Sequence, residues 1–246
     1  MRRLSGKRYW LVGASEGLGR ALALGLSRAG VELVLSARDT DRLEALAADL
    51  PGNAQVVACD VSDRASVMQA AQAAGDLDGV VFLAGVYWPF GAKDWNAEQA
   101  ETMIDVNFIG AARVLGAVIP GFVARKRGHV VITGSLAGFA GLPGSIGYGS
   151  SKAGLMHLAE SMHADLRGSG VDVQLANPGF IRTRLTDKND FTMPFLMEPD
   201  RAAAEMLTLM RSERFSRSFP WGFSLVFRLG RLLPDALYFR LFGAKS

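Results

Sequence analysis

Six short runs of almost uninterrupted apolar residues, at 9–12, 32–36, 55–58, 79–83, 129–133 and 172–176, alternate with longer stretches of helical spacing. Strands this apolar are covered on both faces, and strands separated by helices pair in parallel because each crossover returns the chain to the same edge. The helical stretches fall at 18–29, 40–50, 64–74, 97–125 with a break near Asp105, and 150–167. The alternation predicts an α/β chain with a doubly wound parallel sheet and helices on both faces. At 246 residues, 49% of them hydrophobic, and with no repeat or linker, the chain is expected to form a single domain over 1–246.

Several classes drop out. The net charge of +3 is spread along the chain rather than gathered in a stripe, so no nucleic-acid partner is expected. Cys59 is the only cysteine, which excludes an internal disulfide or a cysteine zinc cluster and fits a reducing compartment; no metal site is expected. The uncharged stretch 130–151 holds six glycines and Pro143, a composition for a strand, a loop and a helix start rather than a membrane span. The apolar run 9–14 is too short for a secretory leader, and a cytoplasmic location is expected.

The first strand runs into Gly13-Ala14-Ser15-Glu16-Gly17-Leu18-Gly19, where the first helix begins. Glycines there permit a tight turn and close backbone approach to a pyrophosphate, while the helix start offers amide donors and a positive dipole end. At the end of the second strand an acid would bind a ribose 2′-hydroxyl; here Ala37 takes that place and Arg38 follows, able to pair with a 2′-phosphate. This favours NADP(H) over NAD(H), although Glu16 adds no positive charge. After the third strand, Asp60-Val61 is placed to meet adenine, with Asp60 or Ser62 also able to cap the next helix.

Tyr148 and Lys152 stand four apart and so share one helix face. A fixed cation beside a phenol favours the phenolate and is expected to lower its pKa. Ser135 follows the fifth strand at the carboxyl edge, where a hydroxyl would meet a substrate carbonyl. Asn107 lies in an apolar helical context, where a buried amide would hold a helix distortion or a water chain.

In this order the motifs resemble those of the short-chain dehydrogenase/reductase family over 7–210: Gly13, Gly17 and Gly19; Asp60; Asn107; Ser135; Tyr148 and Lys152; Asn177-Pro178-Gly179, then Ile181 and Thr183. The resemblance implies a Rossmann-type domain and hydride transfer between a nicotinamide and a carbonyl or alcohol carbon. Tyr148 would carry the proton, Lys152 would hold the nicotinamide ribose, Ser135 would orient the carbonyl and Asn107 would support a water relay. Ile181 and Thr183 would meet the carboxamide and phosphate side. The chain departs from the family's Asn-Asn-Ala-Gly with Phe82-Leu83-Ala84-Gly85: Ala84 and Gly85 keep the close approach, but both amides are lost.

The segment 184–199 carries Phe191, Met193, Pro194, Phe195, Leu196 and Met197 and is expected to form a lid over a small apolar carbonyl or alcohol substrate, with Tyr87, Trp88, Phe90 and Phe139 adding to the pocket. A carrier-bound 3-oxoacyl substrate, received by Arg125, Lys126 and Arg127, is the alternative; a cofactor-binding sensor or scaffold without turnover is another. Residues 211–246 hold seven Lys/Arg against two Asp/Glu. Within them the apolar, basic extension 219–246 would lie on an anionic membrane or, as the favoured expectation, follow a seventh strand near 215–219 and pack as a helix in a homodimer or homotetramer.

Overall fold

The computed structural model describes residues 1–243. Strands β1 (Arg8–Val12), β2 (Glu32–Ala37), β3 (Ala54–Ala58), β4 (Gly79–Phe82), β5 (Gly128–Thr133), β6 (Val171–Pro178) and β7 (Ser216–Phe219) form one sheet in the order β3-β2-β1-β4-β5-β6-β7. Every pairing is parallel. The order reverses between β1 and β4, and an open parallel sheet binds its ligand in the crevice outside such a switch point.

Helices α1 (Gly17–Arg28), α2 (Thr40–Asp49) and α3 (Arg64–Ala74) connect the first four strands; α4 (Ala97–Ile104) and α5 (Gly110–Ala124) join β4 to β5, and α6 (Ile146–Asp165) joins β5 to β6. The expected break near Asp105 is a π-helical turn, Asp105–Ile109. The whole Ala97–Ala124 stretch is long and apolar enough to cross a bilayer by composition, but it packs on α6 and α3. Helix α6 begins four residues before its expected start, so Tyr148 and Lys152 both lie inside it.

Beyond β6 the sequence expectation is incomplete. Helix α7 (Pro199–Arg211) was not anticipated, although it starts with proline at its first turn and buries Ala202, Ala203, Met206, Leu209 and Met210 on one face. The tail then forms two short helices rather than one, α8 (Trp221–Gly230) and α9 (Asp235–Phe242), with Pro234 at the entry to the second.

One apolar layer under α1 and α7 and another under α3, α5 and α6 sandwich the sheet. Trp10, Phe82 and Phe122 are almost wholly enclosed; truncating any of them to alanine would cost about 3–5 kcal/mol. The Trp10 indole donates to Ser36 Oγ at 2.8 Å, and Ser36 donates on to the Val57 carbonyl at 2.7 Å, so the buried polar atoms are satisfied.

At the amino end of the sheet Gly79 sits between Tyr9 and His129 in neighbouring strands. A side chain at Gly79 would collide with the Tyr9 ring. Its absence lets the Tyr9 hydroxyl reach across β4 to His129 Nδ1 at 2.7 Å.

Candidate active site

A cleft of about 520 Å³ opens at the carboxyl end of the sheet around the switch point. Its walls contain Gly13, Ser15, Glu16, Gly17, Leu18 and Gly19 from the turn, Arg38, Asp60 and Val61 from the second and third strand ends, and Ala84 and Gly85 after β4. Pro178, Gly179, Ile181 and Thr183 close the far side, with Tyr148 and Lys152 at its inner end.

The turn needs its glycines. Gly13 has φ +96°, and a Cβ there would lie 2.5 Å from the Ala84 amide nitrogen; one at Gly19 would overlap the Gly13 carbonyl. Helix α1, like α5 to α9, has no side-chain cap, and its first residues Gly17, Leu18 and Gly19 line the cleft. Its first-turn amides face the cleft in want of an acceptor, which fits the pyrophosphate of a dinucleotide. The Thr133 hydroxyl, buried on the same wall, also lacks a protein partner.

The loss of the two asparagine amides does not loosen the β4 turn: the backbone amides of Leu83 and Ala84 donate to the Val12 carbonyl at 2.8 and 2.9 Å. Asp60 accepts from the Ser62 hydroxyl and amide at 2.6 and 2.9 Å. Burial alone would raise its pKa, but those bonds, with Arg38 and Arg113 nearby, bring it below its ordinary value. The cap of α3 is Asp63, not Asp60 or Ser62, which leaves Asp60 turned to the cleft.

Three arginines, Arg38, Arg42 and Arg184, line this cleft. Arg42, which the sequence reading passed over, pairs with Glu16 at 3.1 Å and Asp39 at 3.0 Å; Arg184 reaches Glu16 at 3.3 Å. Arg38 is exposed on the cleft wall and makes no ion pair among the described residues. The signal for Arg42 was its place four residues after Arg38, at the start of α2.

A second, smaller cavity of about 150 Å³ adjoins the first, and Tyr148, Gly179, Leu185 and Thr186 line both. Lys152 lies on the larger side only and Ser135 on the smaller side only. Ser135 Oγ accepts from the Ala137 amide at 3.1 Å, and its hydroxyl also bonds with Tyr148. Lys152, buried, donates to the Thr133 carbonyl at 2.9 Å, and its Nζ lies 5.7 Å from the Tyr148 ring centroid.

The expected lowering of the Tyr148 pKa by the lysine does not hold in this arrangement. Burial pushes the phenol up, and the hydrogen bond with Ser135 works in the opposite direction. Burial also brings Lys152 down to about 8, so its charge is itself disfavoured, and its ammonium donates to a carbonyl rather than to the phenol.

Asn107 is fully buried in the π turn. It accepts from the Val86 amide at 2.7 Å and donates to the Val86 carbonyl and to Ser151 Oγ, each at 3.0 Å; Ser151 in turn donates to the Tyr148 carbonyl at 2.8 Å. It makes no direct bond to Lys152; its bonds tie α6 to the loop after β4. The extra residue of a π turn re-aims side chains in this way.

The smaller cavity is walled by Tyr87, Leu142, Phe180, Phe191, Phe223 and Phe227, among others. Trp88, Phe90 and Phe139, expected to join it, do not: Phe90 meets Trp95 edge-on and Phe139 packs on the core. Phe223 and Phe227 come from α8, a wall that no local sequence signal assigns to this site. Thr186 was also overlooked; its hydroxyl accepts from the Thr183 amide at 3.0 Å and sits near the Ile181 and Thr183 carbonyls at 2.7 and 2.8 Å, holding the start of the 184–199 segment in a turn. Within that segment Met197 is core, bridged to Ile181, while Phe191 and Phe195 are exposed.

Comparison with known proteins places this geometry. The short chain dehydrogenase family profile matches residues 7–193. An uncharacterized oxidoreductase of Myxococcus xanthus is 40% identical over 245 residues, covering 97% of each chain. Another from Staphylococcus epidermidis is 35% identical over 185 residues, covering 74% of this chain and 80% of its own. Among solved structures, a short-chain dehydrogenase from Sphingobium yanoikuyae in complex with NADPH superimposes with a TM-score of 0.83 at 28% identity, covering 98% of this chain and 96% of that one.

Proposed function

The chain belongs to the short-chain dehydrogenase/reductase family, and from that premise we propose that it is an NADP(H)-dependent oxidoreductase interconverting a small apolar carbonyl compound and its alcohol. The observation that carries the reading is the position of Tyr148 in the walls of both cavities, with Lys152 on the cofactor side and Ser135 on the substrate side. A nicotinamide cofactor, when bound, supplies or takes the hydride.

The protein's own part is proton handling and orientation. Ser135, its acceptor site used by Ala137, donates to the carbonyl oxygen, and Tyr148 gives that oxygen its proton in reduction. A phenol that burial keeps protonated suits the acid role. Lys152, on the wall of the larger cavity beside Tyr148, would hold the nicotinamide ribose. The glycine turn and uncapped α1 would hold the pyrophosphate, and Pro178, Gly179, Ile181 and Thr183 the nicotinamide side.

The preference for NADP(H) is supported by Ala37 in place of an acid and by Arg38 and Arg42 at the adenosine end. The aromatic wall supports an apolar substrate beneath a lid formed by 184–199. The carrier-bound alternative is weaker: Arg125, Lys126 and Arg127 precede β5, at the opposite end of the sheet, where Arg125 and Arg127 meet Asp76 and Asp78. An intact Ser135, Tyr148 and Lys152 set argues against a scaffold without turnover. We read the enzyme as cytoplasmic and as a homodimer or homotetramer, with exposed Ile104, Ile109 and Val123 along α4–α5 suited to a second copy.

The test is a panel of apolar ketones, aldehydes and acyl thioesters followed by oxidation of NADPH and, separately, NADH. The reading predicts turnover of apolar ketones or aldehydes with NADPH as the better reductant. Turnover of thioester-linked substrates alone, or none with any member, would overturn it.

A further inference from the structure

We propose that α8, α9 and the exposed part of the 184–199 segment form a docking face for an anionic lipid bilayer, so that the substrate cavity lies one helix away from the membrane. The substrate half of this inference, that the carbonyl compound arrives with a hydrocarbon chain from the lipid phase, rests on the functional reading above.

Exposure is the first observation. Apart from Met1, the most exposed large apolar side chains are Leu232 (78%), Trp221 (71%), Phe195 (66%) and Leu241 (62%), and all four lie on the tail or the lid segment. Phe195 has φ +56°, a left-handed conformation that side-chain-bearing residues rarely adopt, and packs against Phe223 with ring centroids 5.1 Å apart and planes tilted by 32°. The fold therefore holds an aromatic ring at the surface against the backbone's preference. A concentration of exposed apolar side chains of this kind marks an interaction site.

Charge is the second. Arg228, Arg231 and Arg240 are exposed among these apolar residues, and none forms an ion pair among the described residues. Asp235 is the only acidic residue from 219 onward. A self-complementary contact through this face would bring like charges together, whereas anionic headgroups would neutralise them as the apolar side chains enter the interface. The bilayer is the occupant that satisfies both features.

Continuity with the site is the third. Helix α8 presents Phe223 and Phe227 to the cavity, while Val226 and Leu229 on the same helix are exposed. Helix α9 is tied to the cavity rim, since the Tyr238 hydroxyl donates to the Gly141 carbonyl at 2.9 Å. The cavity wall and the docking face are thus two sides of one helix, and a helix with side chains is about 10–12 Å across.

The experiment is flotation of the full chain with vesicles of phosphatidylglycerol and phosphatidylcholine in equal parts, and with phosphatidylcholine alone. Two variants accompany it: L229S/L232S/L241S, and R228Q/R240Q. The wild type is expected to float with the anionic vesicles and to be released by salt, and each variant to lose the bound fraction about tenfold at an unchanged melting temperature. Failure of the wild type to float at low salt would overturn the proposal, as would flotation unaffected by either variant. So would a halved molecular mass for the leucine variant, which would assign the face to a second copy.

With a long-chain ketone dissolved in the same vesicles, both variants should reduce turnover about fivefold while sparing a short water-soluble ketone. Equal effects on the two ketones would refute delivery from the bilayer. If the wild type reduces neither ketone, the oxidoreductase reading fails, and flotation still decides the docking face.

Discussion

Polar side chains are buried at both ends of the sheet, under opposite conditions. At the amino end, the Gln174 amide nitrogen donates to the carbonyls of Leu209, Ser212 and Arg214, while its oxygen at 2.9 Å and the Arg2 guanidinium at 3.1 Å both meet His129 Nε2. His129 Nδ1 is hydrogen-bonded to the Tyr9 hydroxyl. Burial, followed by the nearby Arg2 guanidinium, holds the imidazole neutral down to about 3. At the carboxyl end the Thr133 hydroxyl, on the cleft wall, is buried without a partner, and Lys152 on the same wall is buried with one carbonyl. Buried polarity alone therefore does not identify a site: the satisfied network holds the fold together, and the underserved one, open to a cleft, is where a ligand completes the bonding.

The sharpest way to break this contrast is Tyr148→Phe. Turnover in the NADPH-linked assay should fall about 10²–10⁴-fold while the melting temperature stays level. A large loss of stability with residual full activity would place Tyr148 with the structural group.

Acid should expose the amino end. Because the His129 pKa is lower folded than unfolded, the unfolded chain takes up a proton first as pH falls below its ordinary value. The contribution is whole above about pH 6.5 and is lost progressively down to about 3, amounting to about 3 kcal/mol by about pH 4. Urea melts across that window should show the slope, and His129→Gln should flatten it.

Gln174→Leu removes the hub of the same network and should cost about 2–3 kcal/mol, leaving turnover per folded molecule unchanged. Denaturation curves read beside specific activity test both halves. The smallest effect concerns the far edge of the cleft. Arg38→Ala should lower the preference for NADPH over NADH by roughly tenfold, the scale of one charge-assisted contact to a phosphate, as measured by the ratio of kcat/KM values.

The parts of this molecule legible in its sequence are those in which local chemistry and position agree. The glycine turn follows a strand because only there does a Cβ at Gly13 strike the neighbouring backbone, and Asn107 marks a helix distortion because a buried amide in an apolar run must satisfy backbone groups. Helix α7 carries a readable signal in Pro199 and its apolar spacing, although it follows directly on the apolar segment 184–199. The α8 wall was illegible for a different reason. Phe223 and Phe227 reach the cavity only because β7 pairs with β6 and carries the tail back over the site, and no local pattern encodes that return. The direction of the Tyr148 pKa was missed likewise, since helical spacing supplies the lysine's proximity but not the desolvation of both groups.

The placement of that last wall also sets an order in time. Every residue lining the cofactor cleft lies at or before Thr186, whereas the substrate cavity is closed by residues after β7. Chains emerge from the ribosome amino end first. The growing chain therefore contains everything needed to grip a dinucleotide before it contains the side chains that enclose a substrate, and until β7 arrives the edge of β6 is unpaired. Cofactor present during synthesis would act on the nascent chain as a folding ligand, stabilising the part already made while the remainder is still being translated.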